Sequence, residues 1–207
     1  MSMKTVVLAA CLLWAGSVSA QSLPKPAEFY FDADASATQP LVATDKSGDA
    51  AVQDLLKAME RDPRDLVATA HLARLAMQGG REQLGRELYT RALSQVDAGN
   101  RYYRSVLWNY AWDLYRLGYH EEALGHWRTL VLSRGVNGGW MPQTLALALW
   151  TLDRREDAVQ WYAAAVRTEP QDWGTTARYE ALLPGWSQDE RATLAEVHAA
   201  WAANPPS

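Results

Sequence analysis

The chain has 207 residues, 48% of them apolar, and a formal charge of −4. That is enough apolar mass for one domain with a continuous core. Lys and Arg are interspersed with Asp and Glu without a basic run, which argues against nucleic acid, whose affinity rests on phosphate neutralisation, and against an anionic membrane surface.

Residues 1–20 read as a secretory signal: Lys4, an apolar run from Thr5 to Ala15, then Val18-Ser19-Ala20 ahead of Gln21. The expectation is an exported protein, periplasmic or secreted. A competing reading takes Leu8-Ala9-Ala10-Cys11 as a lipoprotein box with Cys11 lipidated, but the apolar stretch before it is short. No later run reaches the roughly 20 apolar residues of a membrane span. Cleavage after Ala20 leaves no cysteine, so the core alone must hold the exported chain.

Residues 21–47, with Pro24, Pro26 and Pro40 among Ser, Thr and Asp, predict an extended, partly disordered segment. Phe29-Tyr30-Phe31 is its expected apolar anchor, with Phe29 and Phe31 pinning the segment. Phe31-Asp32-Ala33-Asp34-Ala35-Ser36 is similar to the nucleophile motif of haloacid-dehalogenase-like phosphatases, but that fold needs alternating strands and helices afterwards. As an EF-hand start it also fails, because Ala37 stands where Gly is needed and Ala43 where Glu should close the site. It is read as a polar lead.

From residue 48 to 170 one pattern recurs. A small residue is followed four positions on by a large side chain and three further by an apolar one: Ala51-Leu55-Ala58, Gly85-Tyr89-Ala92, Ala123-Trp127-Leu130 and Ala158-Tyr162-Ala165. Steps of four and three fall on one helix face. Small residues let a neighbouring helix approach and the aromatic fills the space beside the crossing. Twelve positions before the last three blocks stand Ala73, Ala111 and Ala146, with Gly80 and Gly118 in the first two intervening turns. Pro63 and Pro170 close the outer blocks. The step between blocks is 34, 38 and 35 residues, the long one spanning a loop at Asp97-Ala98-Gly99-Asn100. Helix, turn, helix at this period is the signature of a helical solenoid.

These residues resemble the tetratricopeptide repeat (TPR) family, in four blocks held in register. Leu130 departs from the family's alanine, and the two middle blocks lack the closing proline. The resemblance implies an all-α, TPR-like helical-hairpin solenoid of about three repeats with flanking half-repeats. It also implies that certain first-helix positions line a concave groove that receives partners. Here those positions hold Arg74, Met77, Trp108, Trp112, Tyr115, Arg116, Trp140, Gln143 and Trp150, with Asn109 adjacent. Tryptophan offers a broad rigid surface with one donor, which suits a binding hot spot. The same rings equally suit packing between helices or beneath the N-terminal segment, because residues 101–116 are apolar nearly all round.

His120-Glu121-Glu122-Ala123-Leu124-Gly125-His126 is not a zinc-protease helix. Its histidines are six apart, about 240° round the helix, whereas that chemistry needs four. It reads as a solvated helix start with carboxylates on the positive dipole end. His71 and His198 stand alone. No nucleophile elbow or glycine-rich phosphate loop is present.

Residues 171–207 predict a cap: Trp173–Leu183 as a shortened helix broken at Pro184-Gly185, then a helix opened by the capping box Ser187–Glu190. The leading expectation is a non-enzymatic scaffold that binds a protein or peptide segment on its concave face, without metal or cofactor. A glycan- or cell-wall-binding module using exposed tryptophans is the second class, and an enzyme the third. The chaperone-tail carboxylate clamp known in the family is disfavoured, since Ala70, Arg74, Trp140 and Thr144 break its pattern and only Asn109 suits it.

Overall fold

The computed structural model describes residues 22–206; the leader read over 1–20, with Cys11, lies outside them. Among the described residues the structure is all-α, apart from one isolated bridge pairing Asp32 with Gly138. A single turn, α1 (Ala35–Thr38), precedes α2 (Gly48–Arg61), which packs on α3 (Leu66–Gln78). Three hairpins then follow: α3 with α4 (Glu82–Ser94), α5 (Tyr103–Arg116) with α6 (His120–Arg134), and α7 (Met141–Thr151) with α8 (Arg155–Thr168). One core runs through all of them.

The hairpins are built alike. Their turns each contain one left-handed residue, Gly80 (φ 73), Gly118 (φ 89) and Asp153 (φ 58). Each turn closes on the same backbone bond, from the next residue's N–H to a carbonyl five back: Arg81 to Ala76, Tyr119 to Leu114 and Arg154 to Leu149. Glycine meets the positive φ without a Cβ penalty, and aspartate tolerates it better than most. Ala73, Ala111, Ala146, Ala123 and Ala158 are all fully buried. Beside them the large side chains Tyr89, Trp127 and Tyr162 are equally buried. At Gly85 a Cβ would come within 2.5 Å of Met77, so the α3–α4 approach requires glycine there. Met77 is therefore core, not groove.

Two local expectations need correction. Trp173–Leu183 is not one helix but two single turns, α9 (Pro170–Trp173) and α10 (Tyr179–Leu182). Gly174 and the β-branched pair Thr175-Thr176 weaken the helix between them, and the Thr175 hydroxyl accepts the Ala177 N–H in a local turn. The anchor of the lead segment is Tyr30, which is buried, while Phe29 and Phe31 stack on each other at the surface. Extended chain alternates its side chains, so the middle residue of the three faces inward. The Tyr30 hydroxyl accepts the Ala27 N–H and its ring tilts against Trp161.

The expected capping box is present: the Ser187 hydroxyl accepts the Glu190 N–H and the Glu190 carboxylate accepts the Ser187 N–H. It opens α11 (Gln188–Ala203), which covers α7 and α8.

Candidate functional site

The site is built around α5. Its Tyr110, Ala111 and Leu114 enter the core, with Tyr110 stacked on Tyr89 at 4.4 Å. Trp108 and Trp112 project one residue to the side. Both reach Trp127, whose ring is fully buried, at centroid distances of 6.5 and 5.1 Å. Trp140, just before α7, meets Trp108 edge-on at 4.9 Å, and Trp186 meets Trp112 the same way at 5.2 Å. Edge-to-face contacts of this kind fix ring orientation beyond what area burial would do. Trp112 and Trp140 are buried; Trp108 and Trp186 are half-buried and keep surface to offer.

These rings line a cavity of about 590 Å³, together with Arg74, Gln78, Asn109, Asp113, Arg116 and Gln143. That is within the range of binding pockets. One wall is the lead segment, through Thr38 and Pro40. Asn109 donates to the Gln39 carbonyl at 3.1 Å, and Asp34 is bound by Arg104 and by Trp140 Nε1, the latter at 2.8 Å. The opposite stretch of α5 is walled by Leu182–Trp186. There Arg116 donates to both Glu190 oxygens, at 2.9 and 3.2 Å, and to the Gly185 carbonyl at 2.9 Å. The floor between the walls is α5 itself, flanked by α3 and by Trp140 at the foot of α7.

The floor is polar as well as aromatic. Asp113 is buried and accepts the Tyr89 hydroxyl at 2.6 Å. Burial pushes its carboxyl up to about 6, against the pull of the Tyr89 hydrogen bond and of the Arg74 and Arg116 charges. Burial and the neighbouring carboxylate push the Tyr89 phenol well above its usual range. Gln143 donates through Nε2 to the Gly139 carbonyl at 2.8 Å. Its Oε1, and Nε of Arg74, are shielded from solvent and make no hydrogen bond among the described residues.

Of the residues expected at the site, the structure gathers Arg74, Trp108, Asn109, Trp112, Arg116, Trp140 and Gln143 around this one cavity. Two lie elsewhere. Tyr115 is buried and its hydroxyl pairs with that of Thr151 at 2.8 Å. Trp150 donates to Glu196 at 2.9 Å and lies under the Arg155 guanidinium, 3.9 Å from its ring centroid, toward α11. The terminal helix packs on α7 and takes the Trp150 donor, and periodicity on α7 alone carries no sign of that.

Several contributors were missed. Asp113 had a signal, as a lone acid inside an apolar helix. Trp186 and the lead-segment residues Thr38 and Pro40 had none, because long-range docking brings them in. Asp34, read as part of a polar lead, is buried in the wall, with Arg104 and Arg134 as its charge partners. His71 is buried too, and its Nδ1 accepts the Ala43 N–H at 3.2 Å, pinning the same segment. Burial and the Arg74 charge hold the His71 imidazole below its usual range. His120 and His126 face different rings, Tyr115 and Tyr110. Among the described residues no cluster of three or more His, Cys, Asp or Glu has metal-holding geometry, and no helix is long and apolar enough to cross a membrane.

Compared with protein-family models, with curated proteins and with solved structures, the chain finds no significant match.

Proposed function

We propose that this chain is an exported, TPR-like solenoid that acts as a non-catalytic scaffold, taking a protein or peptide segment into the cavity on the face of α5. The solenoid reading rests on the three hairpins with matching left-handed turns and on the buried alanines at their crossings. The export reading rests on the leader pattern of residues 1–20. The observation that carries the function is the cavity itself, where three hairpins contribute to a single aromatic and polar surface.

The experiment is site-directed photocrosslinking against a random library of short peptides. A photoreactive residue at Gln78, exposed on the cavity rim, should capture peptides. The same residue at Leu132, exposed on α6 away from the cavity, should not. Equal capture at both positions, or none at Gln78, would defeat the proposal.

A further inference from the structure

We propose that the cavity selects an acidic peptide, taking one aspartate or glutamate side chain on the outer edge of the Arg74 guanidinium while an apolar neighbour in the same peptide rests against Trp108. This rests on the peptide reading above and names the chemistry that the same site selects.

Three arginines stand at the cavity and its walls, and two already hold a carboxylate supplied by a flanking segment. Arg104 takes Asp34 of the lead segment, and Trp140 Nε1 donates to the same carboxylate at 2.8 Å. Arg116 takes both oxygens of Glu190 and lies 5.1 Å from the centroid of the Trp112 ring. Arg74, on α3, is half-buried and lines the cavity, and no carboxylate meets it among the described residues. Its Nε is shielded, but Nη1 and Nη2 keep accessible surface and make no hydrogen bond among those residues. That outer edge is a planar fork of N–H donors, matched to one carboxylate. Trp108 is half-buried in the same cavity, and its indole N–H is likewise unspent and unshielded. An arginine and a tryptophan of the kind that grip Asp34 thus share the cavity without an acid.

The spent amides favour a side chain over a chain end. Asn109 Nδ2 donates to the Gln39 and Ser105 carbonyls at 3.1 and 2.7 Å, and Gln143 Nε2 donates to Gly139 at 2.8 Å. Neither is left to hold the backbone of a terminal residue. An acidic side chain reaches inward on its own methylenes and needs no backbone partner there. Asp113 is the group that opposes it. Tyr89 of α4, Arg74 of α3 and Arg116 of its own helix act on Asp113. Elsewhere around α5, His126 of α6 faces Tyr110, Asp34 is held by Arg104 and Glu190 by Arg116. His71 of α3 accepts the Ala43 N–H, and burial holds its imidazole low and so neutral. A second carboxylate beside Asp113 repels it, and Asp113 relieves this by taking a proton, which burial makes easy near pH 6. The acidic peptide therefore binds more tightly as the pH falls from 8 to 6.

The test uses the full chain and a random library of short linear peptides with acetylated and amidated ends, so that their only carboxylates are side chains. A second library has free carboxyl ends and no acidic side chains, and oligomers of N-acetylglucosamine form a third arm. Binding is read by calorimetry. Selected capped peptides should carry Asp or Glu beside an aromatic or aliphatic residue. Replacing that acid by its amide should weaken binding roughly tenfold or more, as expected for charge-assisted hydrogen bonds. This comparison is made on the wild type and needs no variant. Arg74→Met, which keeps an apolar stem, should weaken the acidic peptide equally and bind the acid and amide forms alike. Arg74→Lys retains the charge and should recover part of the loss, which separates a lost contact from a disturbed fold. Affinity for the acidic peptide should rise several-fold from pH 8 to pH 6, and Asp113→Asn should flatten that rise. Capped peptides that bind equally well as acid or amide, a folded Arg74→Met that still prefers the acid, or an affinity unchanged by pH would overturn this inference and leave the scaffold reading standing. So would binding of the free-ended library alone, which would give Arg74 to a terminal carboxylate. Binding of the sugar oligomers with no peptide binding would overturn both readings, as would no binding in any arm.

Discussion

The two walls of the cavity are fastened by the same chemistry at different depths. On one side Arg104 holds Asp34, with side-chain exposures of 7% and 0%. On the other Arg116 holds Glu190, with exposures of 41% and 7%. A buried pair that loses one partner leaves a charge stranded in a poor solvent, whereas water screens much of the half-exposed pair. The lead segment is therefore a fixed wall, and the Leu182–Trp186 turn is one that yields at lower cost. An arginine–carboxylate staple can serve as foundation or as latch, and the dielectric around it decides which.

The largest effect tests the foundation. Asp34→Ala should cost about 3–5 kcal/mol in chemical denaturation by leaving Arg104 buried and unpaired. The double change Asp34→Leu with Arg104→Met should recover most of that. A cost below about 1 kcal/mol for the single change would mean the pair is no deeper than the latch.

The floor between the walls gives the next effect, of opposite sign. The Asp113 carboxyl rises from 3.8 to about 6 on folding, so the native state holds a proton that the unfolded chain has released. Stability from this group is fully present below about pH 4 and is lost as the pH rises through 6, by about 3 kcal/mol. Asp113→Asn does not titrate and can still accept from Tyr89. It should therefore be the more stable protein at pH 7.5, with the gap closing toward pH 4. A gap independent of pH would remove burial as the cause.

The smallest effect belongs to the latch. Arg116→Leu should lower stability by about 1 kcal/mol or less. Amide exchange should quicken over Leu182–Trp186 and stay unchanged over Asp32–Leu41. Equal acceleration in both segments would erase the distinction between the walls.

The hairpins were legible because helix crossings leave a spaced record. Alanine at 73, 111, 123, 146 and 158 is demanded by backbone approach, and each of these residues is buried. Gly80 and Gly118 marked two of the turns for the same local reason; the polar run Asp153-Arg154-Arg155 marks the third, where Asp153 takes the left-handed conformation. The orientation of the tryptophans was not legible. Periodicity puts Trp108 and Trp112 on one face of α5, but whether that face is open depends on what docks there. Trp112 is buried because Trp186 arrives from 74 residues further along, and Trp140 because it donates to Asp34 across 106 residues. Neither partner belongs to the repeating pattern.

The most direct test of the cavity as a binding surface is the affinity of Trp108→Ala for a peptide selected on the wild type, measured beside its melting curve. Trp127→Ala, which empties a fully buried site, should lose about 3–5 kcal/mol of stability. Trp108 is half-buried, so its truncation should leave a folded protein that binds about 2 kcal/mol more weakly, as truncated hot spots do. A folded Trp108→Ala that binds the peptide as tightly as wild type would contradict the account and leave the ring as packing.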